Sequence, residues 1–231
     1  SLGLVGDLTE ARALIMAGQV LVDEQRIDKP GQLVRDGQNL RLKDQKRFVS
    51  RGGEKLIGAL DACAIDPQGA VCLDVGCSTG GFTDCLLQKG AVKIFGIDVG
   101  YNQVHEKIKR DERVYVMEQT NLRYVTSIGQ MVDLVTLDLS FISILKVMQA
   151  VKAVLKPQGL LIVLIKPQFE AARNQVGKGG VIKDETIHKE VVERVTQGII
   201  AQGFALTGVV ESPILGSSGN KEFLALFKKN E

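Results

Sequence analysis

Two lysines and two carboxylates occupy positions where side chains can do proton chemistry. Asp138 follows the apolar run LVTL, and Lys166 follows the still more apolar LLIVLI. A charged residue directly after a buried strand is carried to the rim of a sheet. A nearby cation or loss of water lowers the proton affinity of a lysine, and a carboxylate raises it. A lysine tuned downward accepts a proton near neutral pH. Lys55, within SRGGEKL, and Glu222, within GNKEFLALF, supply a second such pair. Each also has a plainer reading. Lys55 can be a helix-surface lysine, Asp138 a helix cap, and Glu222 a guard on a strand edge or a partner of Lys221.

The segment Val71 to Phe82, VCLDVGCSTGGF, says what sits beside them. An apolar strand runs into Asp74 and then into a turn holding Gly76, Ser78, Thr79, Gly80, Gly81 and Phe82. Glycines let a backbone turn tightly and approach a ligand closely. The order Gly76-x-x-x-Gly80-Gly81 is not the GxGxxG of pyrophosphate binders, which want an amide nest at a helix N-terminus. A second strand, Val92 to Ile97, ends in Asp98. This is the layout of an S-adenosylmethionine site, whose ligand carries a sulfonium, an amino-acid end and an adenosine but no phosphate. Asp74 suits the ammonium end, directly or through water, and Asp98 suits the ribose hydroxyls. Dinucleotide enzymes also use an acid at that second position, so Asp98 alone does not discriminate. The adenine is expected near Met117-Glu118-Gln119-Thr120-Asn121, with Glu118 and Gln119 as polar candidates, Met117 or Leu122 against the ring, and Asn121 as a helix cap.

The elements that must carry these residues alternate. Strands are expected at 71–75, 92–97, 113–117, 132–138, 159–165, 204–211 and 222–228. Helices are expected at 54–64, 80–89, 101–109, 143–155 and 184–202, with a short one near 122–129. That alternation predicts an α/β fold, a doubly wound and mainly parallel Rossmann-like sheet, closed by an antiparallel pair. Before it, TEARALIMA at 9–17 reads as a helix with Thr9 as N-cap and Gly18 as its stop. QVLVD at 19–23 and a segment near 39–42 read as short strands. The division expected is residues 1–46 and 47–231.

Composition narrows the partners. The chain has 231 residues and a net charge of only +2, so overall charge argues neither for nor against nucleic acid. No apolar run approaches the ~20 residues of a membrane span, so no membrane partner is expected. The four cysteines form no CxxC pair and only two histidines are present, which argues against structural zinc and leaves no metal expected. Cys72 and Cys85 read as buried small hydrophobes, and four free thiols fit a reducing, cytoplasmic setting.

The small first part, EARALIMAGQVLVDEQRIDKPGQLVRDGQNLRL, resembles an S4-type α+β RNA-binding module. Residues 1–7 are too few for that module's usual first helix, so it reads as N-terminally incomplete. The resemblance implies that Arg12 faces RNA. Residues 1–46 hold seven Lys/Arg against seven Asp/Glu, yet Arg41, Lys43, Lys46, Arg47, Arg51 and Lys55 lie close together in sequence, a candidate phosphate-facing patch. The plainer reading of that patch is a solvated linker.

Lys55, Asp138, Lys166 and Glu222 resemble, in order and placement, the Lys-Asp-Lys-Glu tetrad of RNA 2'-O-ribose methyltransferases. That resemblance implies Lys166 as the base at the ribose 2'-hydroxyl, Asp138 orienting it, Lys55 positioning the target, and Glu222 orienting Lys55. Over nearly all of residues 8–228, the segments SRGGEKL, DVGCSTGGF, LDLSFIS, IKPQFE, GKGGVIKD and SPILGSSGNKEFL resemble the bacterial TlyA family, also called haemolysin A-like. The resemblance implies 2'-O-methylation of cytidine in ribosomal RNA, with ribosomal RNA or subunits as partner. The family's linker often carries a Trp, where this chain has Phe48-Val49. The loop 168–184 then reads as a substrate gate, with Arg173, Lys178 and Lys183 toward phosphates and glycines at 177, 179 and 180, or more plainly as a flexible crossover. A monomer is expected, since no extra interaction helix is evident. Three other classes compete with this one. Asp138-Leu-Ser-Phe141 is similar to the acidic motif of amino-directed methyltransferases but lacks its prolines, and that chemistry needs no lysine. A binding-only protein would not need Lys166 and Asp138 intact. A lytic protein would need a membrane-active segment.

Overall fold

The computed structural model describes residues 4–43 and 47–231. Lys46, one of the basic residues expected in the patch, lies outside the described residues, as does the start of the expected incomplete helix. The chain forms two compact units, residues 1–47 and 48–231.

In the first unit, helix α1 (Leu8–Met16) is capped earlier than expected: Asp7, not Thr9, accepts from the Glu10 amide at 2.8 Å. Asp leads among N-cap residues because its carboxylate takes up an orphan amide and suits the positive end of the helix. Strands β1 (Val20–Val22), β2 (Gln25–Ile27) and β3 (Leu40–Leu42) form an antiparallel sheet in the order β2-β1-β3. β2 is absent from the sequence-based expectation. Its two-residue turn is Asp23-Glu24, with both residues at positive φ, +48° and +65°. That is the backbone of a primed hairpin turn without the Asn-Gly or Asp-Gly that usually announces one.

The second unit begins with helix α2 (Gly52–Ala62). A seven-stranded sheet comes next, built from β4 (Val71–Val75), β5 (Lys93–Ile97), β6 (Val114–Met117), β7 (Val132–Leu137), β8 (Leu155–Ile165), β9 (Phe204–Glu211) and β10 (Phe223–Lys229). Its order is β6-β5-β4-β7-β8-β10-β9. β4 to β8 pair in parallel, and β10 runs antiparallel to both β8 and β9. The strand order reverses at β4, between β5 and β7, and the crevice outside the carboxyl ends at such a point is where an open α/β sheet binds ligands.

Period-two alternation along the strands feeds two cores. Leu73, Val75, Val135, Leu137, Val163 and Ile165 face one side, under α5 (Met148–Val154) and α7 (Glu185–Ile200). Cys72, Ile94, Leu134, Ile162 and Leu164 face the other, under α2 and α3 (Gly81–Gln88). Each fully buried Leu or Ile is worth about 1.5–3 kcal/mol. The remaining short helices are α4 (Glu106–Lys109) and α6 (Pro167–Glu170).

Four expected elements come out shorter or displaced. The helix at 101–109 is reduced to α4, because Asn102 sits at φ +54° and the His105 side chain caps the single turn after it. The helix near 122–129 is a single 3-10 turn, Leu122–Tyr124, capped by Asn121. The helix at 143–155 splits into a 3-10 turn, Ile144–Lys146, and α5. β8 starts at Leu155, ahead of the expected 159, across a register shift against β7 and a left-handed Gln158 at φ +61°.

Candidate active site

The glycine turn after β4 is a packing device as much as a ligand loop. Gly76 lies at φ +78°, and a Cβ there would stand 2.3 Å from the Asp138 carbonyl oxygen. The end of β4 and the end of β7 therefore close on each other only with glycine at 76. A Cβ on Gly81 would fall 2.1 Å from Ser50 Oγ, and one on Gly53 would fall 2.2 Å from Phe48 Cγ. The glycines of SRGG and STGG thus let α2 and α3 approach, which brings Lys55 beside the sheet. Phe48 is buried, and the Val49 amide donates to Asp84 at 2.9 Å, so the segment before α2 is fixed to the same unit.

Two cavities open at the carboxyl ends of the strands. The first, about 630 Å³, is lined by Lys55, Asp138, Lys166 and Glu222, with Ser50, Arg51, Thr79 and Phe82. It therefore gathers all four residues of the expected tetrad. The second, about 410 Å³, is lined by Asp98, Ile97, Val99, Thr120, Asn121 and Leu122. They share one rim, made of Gly76, Ser78, Asp138, Ser140 and Phe141. Both volumes fall within the roughly 300–1,000 Å³ of small-molecule sites.

The tetrad is organised as two ion pairs. Lys55 Nζ stands 2.5 Å from Glu222 Oε2, with both side chains buried. Removing one partner of such a pair leaves an uncompensated buried charge and costs about 3–5 kcal/mol. Lys166 Nζ stands 2.6 Å from Asp138 Oδ1 and donates to Ser140 Oγ at 3.0 Å. The Lys166–Asp138 contact is Coulombic: Oδ1 is buried and accepts no hydrogen bond among the described residues. Ser140 is a site residue that the sequence pattern does not single out. Its only signal is a lone hydroxyl two residues past Asp138. Glu222 sits just ahead of β10 rather than in it, its carbonyl taking the Ser212 amide at 2.8 Å.

Asp74 does not face either cavity, contrary to a direct role at the cofactor's ammonium end. It is fully buried, and its two oxygens accept from Thr83 Oγ1 at 2.7 Å and Thr136 Oγ1 at 2.8 Å. Burial pushes its carboxyl up to about 6, against the downward pull of the two threonine hydroxyls. Asp74 braces the turn through α3 and β7. The thiol of Cys77, in the same turn, is pushed up by burial and so stays protonated.

Asp98 lines the second cavity while its oxygens accept from the Ser78 amide at 2.8 Å and the Gly100 amide at 2.7 Å. A carboxylate has further lone pairs, so this fixes its orientation without exhausting it. Glu118 and Gln119 are not among the residues that line this cavity. Gln119 is left-handed at φ +52°, and the chain turns there so that the Thr120 amide reaches the Asp98 carbonyl and Thr120, Asn121 and Leu122 line the wall. Thr79 and Phe82 line the first cavity, and Phe82 also belongs to the core beneath α3.

The chemistry of the second cavity fits a cationic ligand. Among the described residues lining it are two carboxylates, Asp98 and Asp138, and no lysine, arginine or histidine. Nothing there neutralises a phosphate, while the carboxylates suit a sulfonium and an ammonium. The rest is largely apolar, including Ile97, Val99, Leu139, Ile142 and Val147, as an adenosine face requires.

The expected RNA-facing residues divide between the two units. Arg12, Lys43 and Arg47 are exposed in the first unit. Arg41 is paired with Glu24 at 2.5 Å, which offsets part of its charge. Arg51 lines the first cavity, and Arg173 and Lys178 are exposed on the loop beyond α6. Among the described residues no cluster of His, Cys, Asp and Glu is arranged to hold a metal ion, and no helix is long and apolar enough to cross a membrane.

Comparison with known proteins places the chain among methyltransferases. The FtsJ-like methyltransferase family matches residues 48–229, and the S4 domain matches residues 2–40. The 16S/23S rRNA (cytidine-2'-O)-methyltransferase TlyA of Mycobacterium tuberculosis is 42% identical over 225 residues, 96% of this chain and 84% of that protein. Hemolysin A of Brachyspira hyodysenteriae is 36% identical over 228 residues, 97% of this chain and 95% of that protein. A protein of Lactococcus lactis, solved under the name hemolysin, superposes with a TM-score of 0.78 at 43% identity, over 80% of this chain and 90% of that one. The chain belongs to the FtsJ-like methyltransferase family, with TlyA and hemolysin A proteins among its relatives.

Proposed function

We propose that this protein transfers a methyl group from S-adenosylmethionine to the ribose 2'-hydroxyl of a cytidine in ribosomal RNA. The observation that carries the reading is the shared rim. A cavity with carboxylates and no basic side chain meets a cavity lined by two lysines, and the two meet at Asp138 and Ser140. The cofactor, when bound, supplies a methyl group already activated on a sulfonium. Asp98, the Gly76–Ser78 backbone and the apolar wall around Leu122 would hold it, and Asp138 would offset its positive charge.

The residues of this chain then have separable tasks. A neutral Lys166 amine carries two N–H bonds and one lone pair. Ser140 takes one N–H bond and Asp138 Oδ1 stands against the nitrogen as a charge, and the lone pair is the acceptor for the proton of the 2'-hydroxyl. Lys166 Nζ would take that proton as the 2'-oxygen gains the methyl group and the sulfur–methyl bond breaks with its electron pair left on a neutral thioether, and Asp138 would offset the new positive charge on the lysine. Lys55, held by Glu222, presents a cation to the acceptor oxygen or its neighbouring phosphate. Much of the rate would come from alignment across the rim. Exposed Phe141 offers a ring on which a base drawn from its stack can lie. The S4 unit would bring RNA to the site, with Arg12, Lys43 and Arg47 toward phosphates, and a ribosomal substrate puts the reaction in the cytoplasm, where four free cysteines are at home. Amino-directed methylation is disfavoured by the same geometry, since a nucleobase amine needs no lysine base.

The test is transfer of labelled methyl from S-adenosylmethionine to undermethylated ribosomal subunits, followed by nucleoside analysis. The expected product is labelled 2'-O-methylcytidine. Label on a base, or none on either subunit despite cofactor binding, contradicts the proposal.

A further inference from the structure

The acceptor cavity contains a second buried acceptor that the mechanism leaves idle. Gln168 lines the cavity two residues beyond Lys166, and its Oε1 is shut off from solvent with no hydrogen-bond partner among the described residues. Beside it, Phe169 packs against Phe141 with ring centroids 4.7 Å apart, and Lys166 Nζ lies 5.9 Å from the Phe169 centroid. The same short segment therefore holds the base for the ribose, an aromatic surface and an unpaired carbonyl oxygen.

The orientation of the carboxamide is set by its surroundings. The cavity lining carries Lys55, Lys166 and Arg51 against two carboxylates, Asp138 and Glu222, so its balance is one positive charge. A carbonyl oxygen turned toward that cationic lining is electrostatically preferred to an NH₂ group, which would point partial positive charge at positive charge. A buried acceptor held this way selects a ligand with a donor opposite it. At position 4 of a pyrimidine, cytosine presents an amino donor and uracil a carbonyl acceptor.

We propose that Gln168 is the residue that selects cytidine over uridine, its Oε1 accepting from the 4-amino group of the target base. The inference rests on the ribose-methylation reading above and adds the base discrimination to it. A uridine in the same place sets two carbonyl oxygens against each other and leaves Gln168 Oε1 unpaired.

The test uses the full chain and ribosomal subunits reconstituted with cytidine or uridine at the mapped target position. The quantity is the ratio of kcat/KM for the two. Wild type is expected to favour cytidine by about 10- to 100-fold, the range of a good base contact. Gln168→Met keeps the length and removes the acceptor, and should bring the ratio to within about threefold of unity with S-adenosylmethionine affinity unchanged. Gln168→Glu keeps an acceptor and should retain the cytidine preference. A wild type that does not discriminate, or a Gln168→Met protein with the wild-type ratio, overturns the proposal. If Gln168→Met methylates neither substrate, Gln168→Glu decides: retained preference supports the assignment and lost preference overturns it. Wild type that makes no 2'-O-methylcytidine on the cytidine substrate is the separate failure of the parent reading.

Discussion

Asp74 sits where charge is costly. The strand pattern puts an acid at the end of β4, but its two threonine partners come from different elements, one at the start of α3 and one inside β7, which is why their role is not legible in the sequence. Its folded value near 6 stands above the ordinary 3.8, so the folded protein binds a proton more tightly than the unfolded chain. The resulting stabilisation is complete below about 3.8 and is lost as pH rises through 6. In Asp74→Asn that titration is gone. Denaturant unfolding from pH 4 to 7 should therefore show the variant gaining on wild type as pH rises, by on the order of 3 kcal/mol, two pKa units at about 1.4 kcal/mol each. A difference that stays flat over this range would show that Asp74 is not held as described. The tetrad, by contrast, is readable residue by residue, because each member abuts a strand end or a glycine-rich helix start. Ser140 and Gln168 are not, since a lone serine or glutamine has no spacing to announce it.

Elements are legible where one pattern dominates and blurred where side chains cap or loops take left-handed residues. The strands of the large sheet fall close to the apolar runs that predict them, while α4, the turn at Leu122–Tyr124 and β2 depend on His105, Asn121 and the Asp23-Glu24 turn. The loop beyond α6 is a further case. Its glycines, Gly179 and Gly180, are left-handed at φ +81° and +78°, but what pins it comes from elsewhere. Asn220 Oδ1 accepts from the Ile182 amide at 2.9 Å, Asn220 Nδ2 donates to the Gly180 carbonyl at 2.9 Å, and the His188 ring meets the Ile182 carbonyl at 3.1 Å. Val176 and Gly180 of this loop, and Ser217, Ser218 and Asn220 of the connection between β9 and β10, line the acceptor cavity. Losing Asn220 would leave buried groups unpaired at a cost of about 1–3 kcal/mol. Asn220→Ala should speed tryptic cleavage after Lys178 and Lys183 and raise the KM for RNA several-fold, with cofactor affinity unchanged. Cleavage and KM at wild-type values would mean that Asn220 does not pin this loop.

At the scale of the whole molecule, two units divide the labour suggested by the family matches, and the larger one places donor and acceptor cavities on either side of one rim. The doubly wound sheet is legible from the alternation of strands and helices, and its reversal at β4 puts the rim at the strand ends. What the sequence conceals is the charge contrast between the cavities, because the acceptor wall is gathered from segments as far apart as Ser50 and Glu222. The central claim is that Lys166 takes the proton at that rim and does not merely shape it. Single-turnover methyl transfer to ribosomal subunits by wild type and Lys166→Ala, with S-adenosylmethionine binding measured on both, addresses it directly. The account predicts a rate loss of about 10²- to 10⁴-fold with cofactor affinity within about twofold. A Lys166→Ala protein that transfers methyl at the wild-type rate would contradict it.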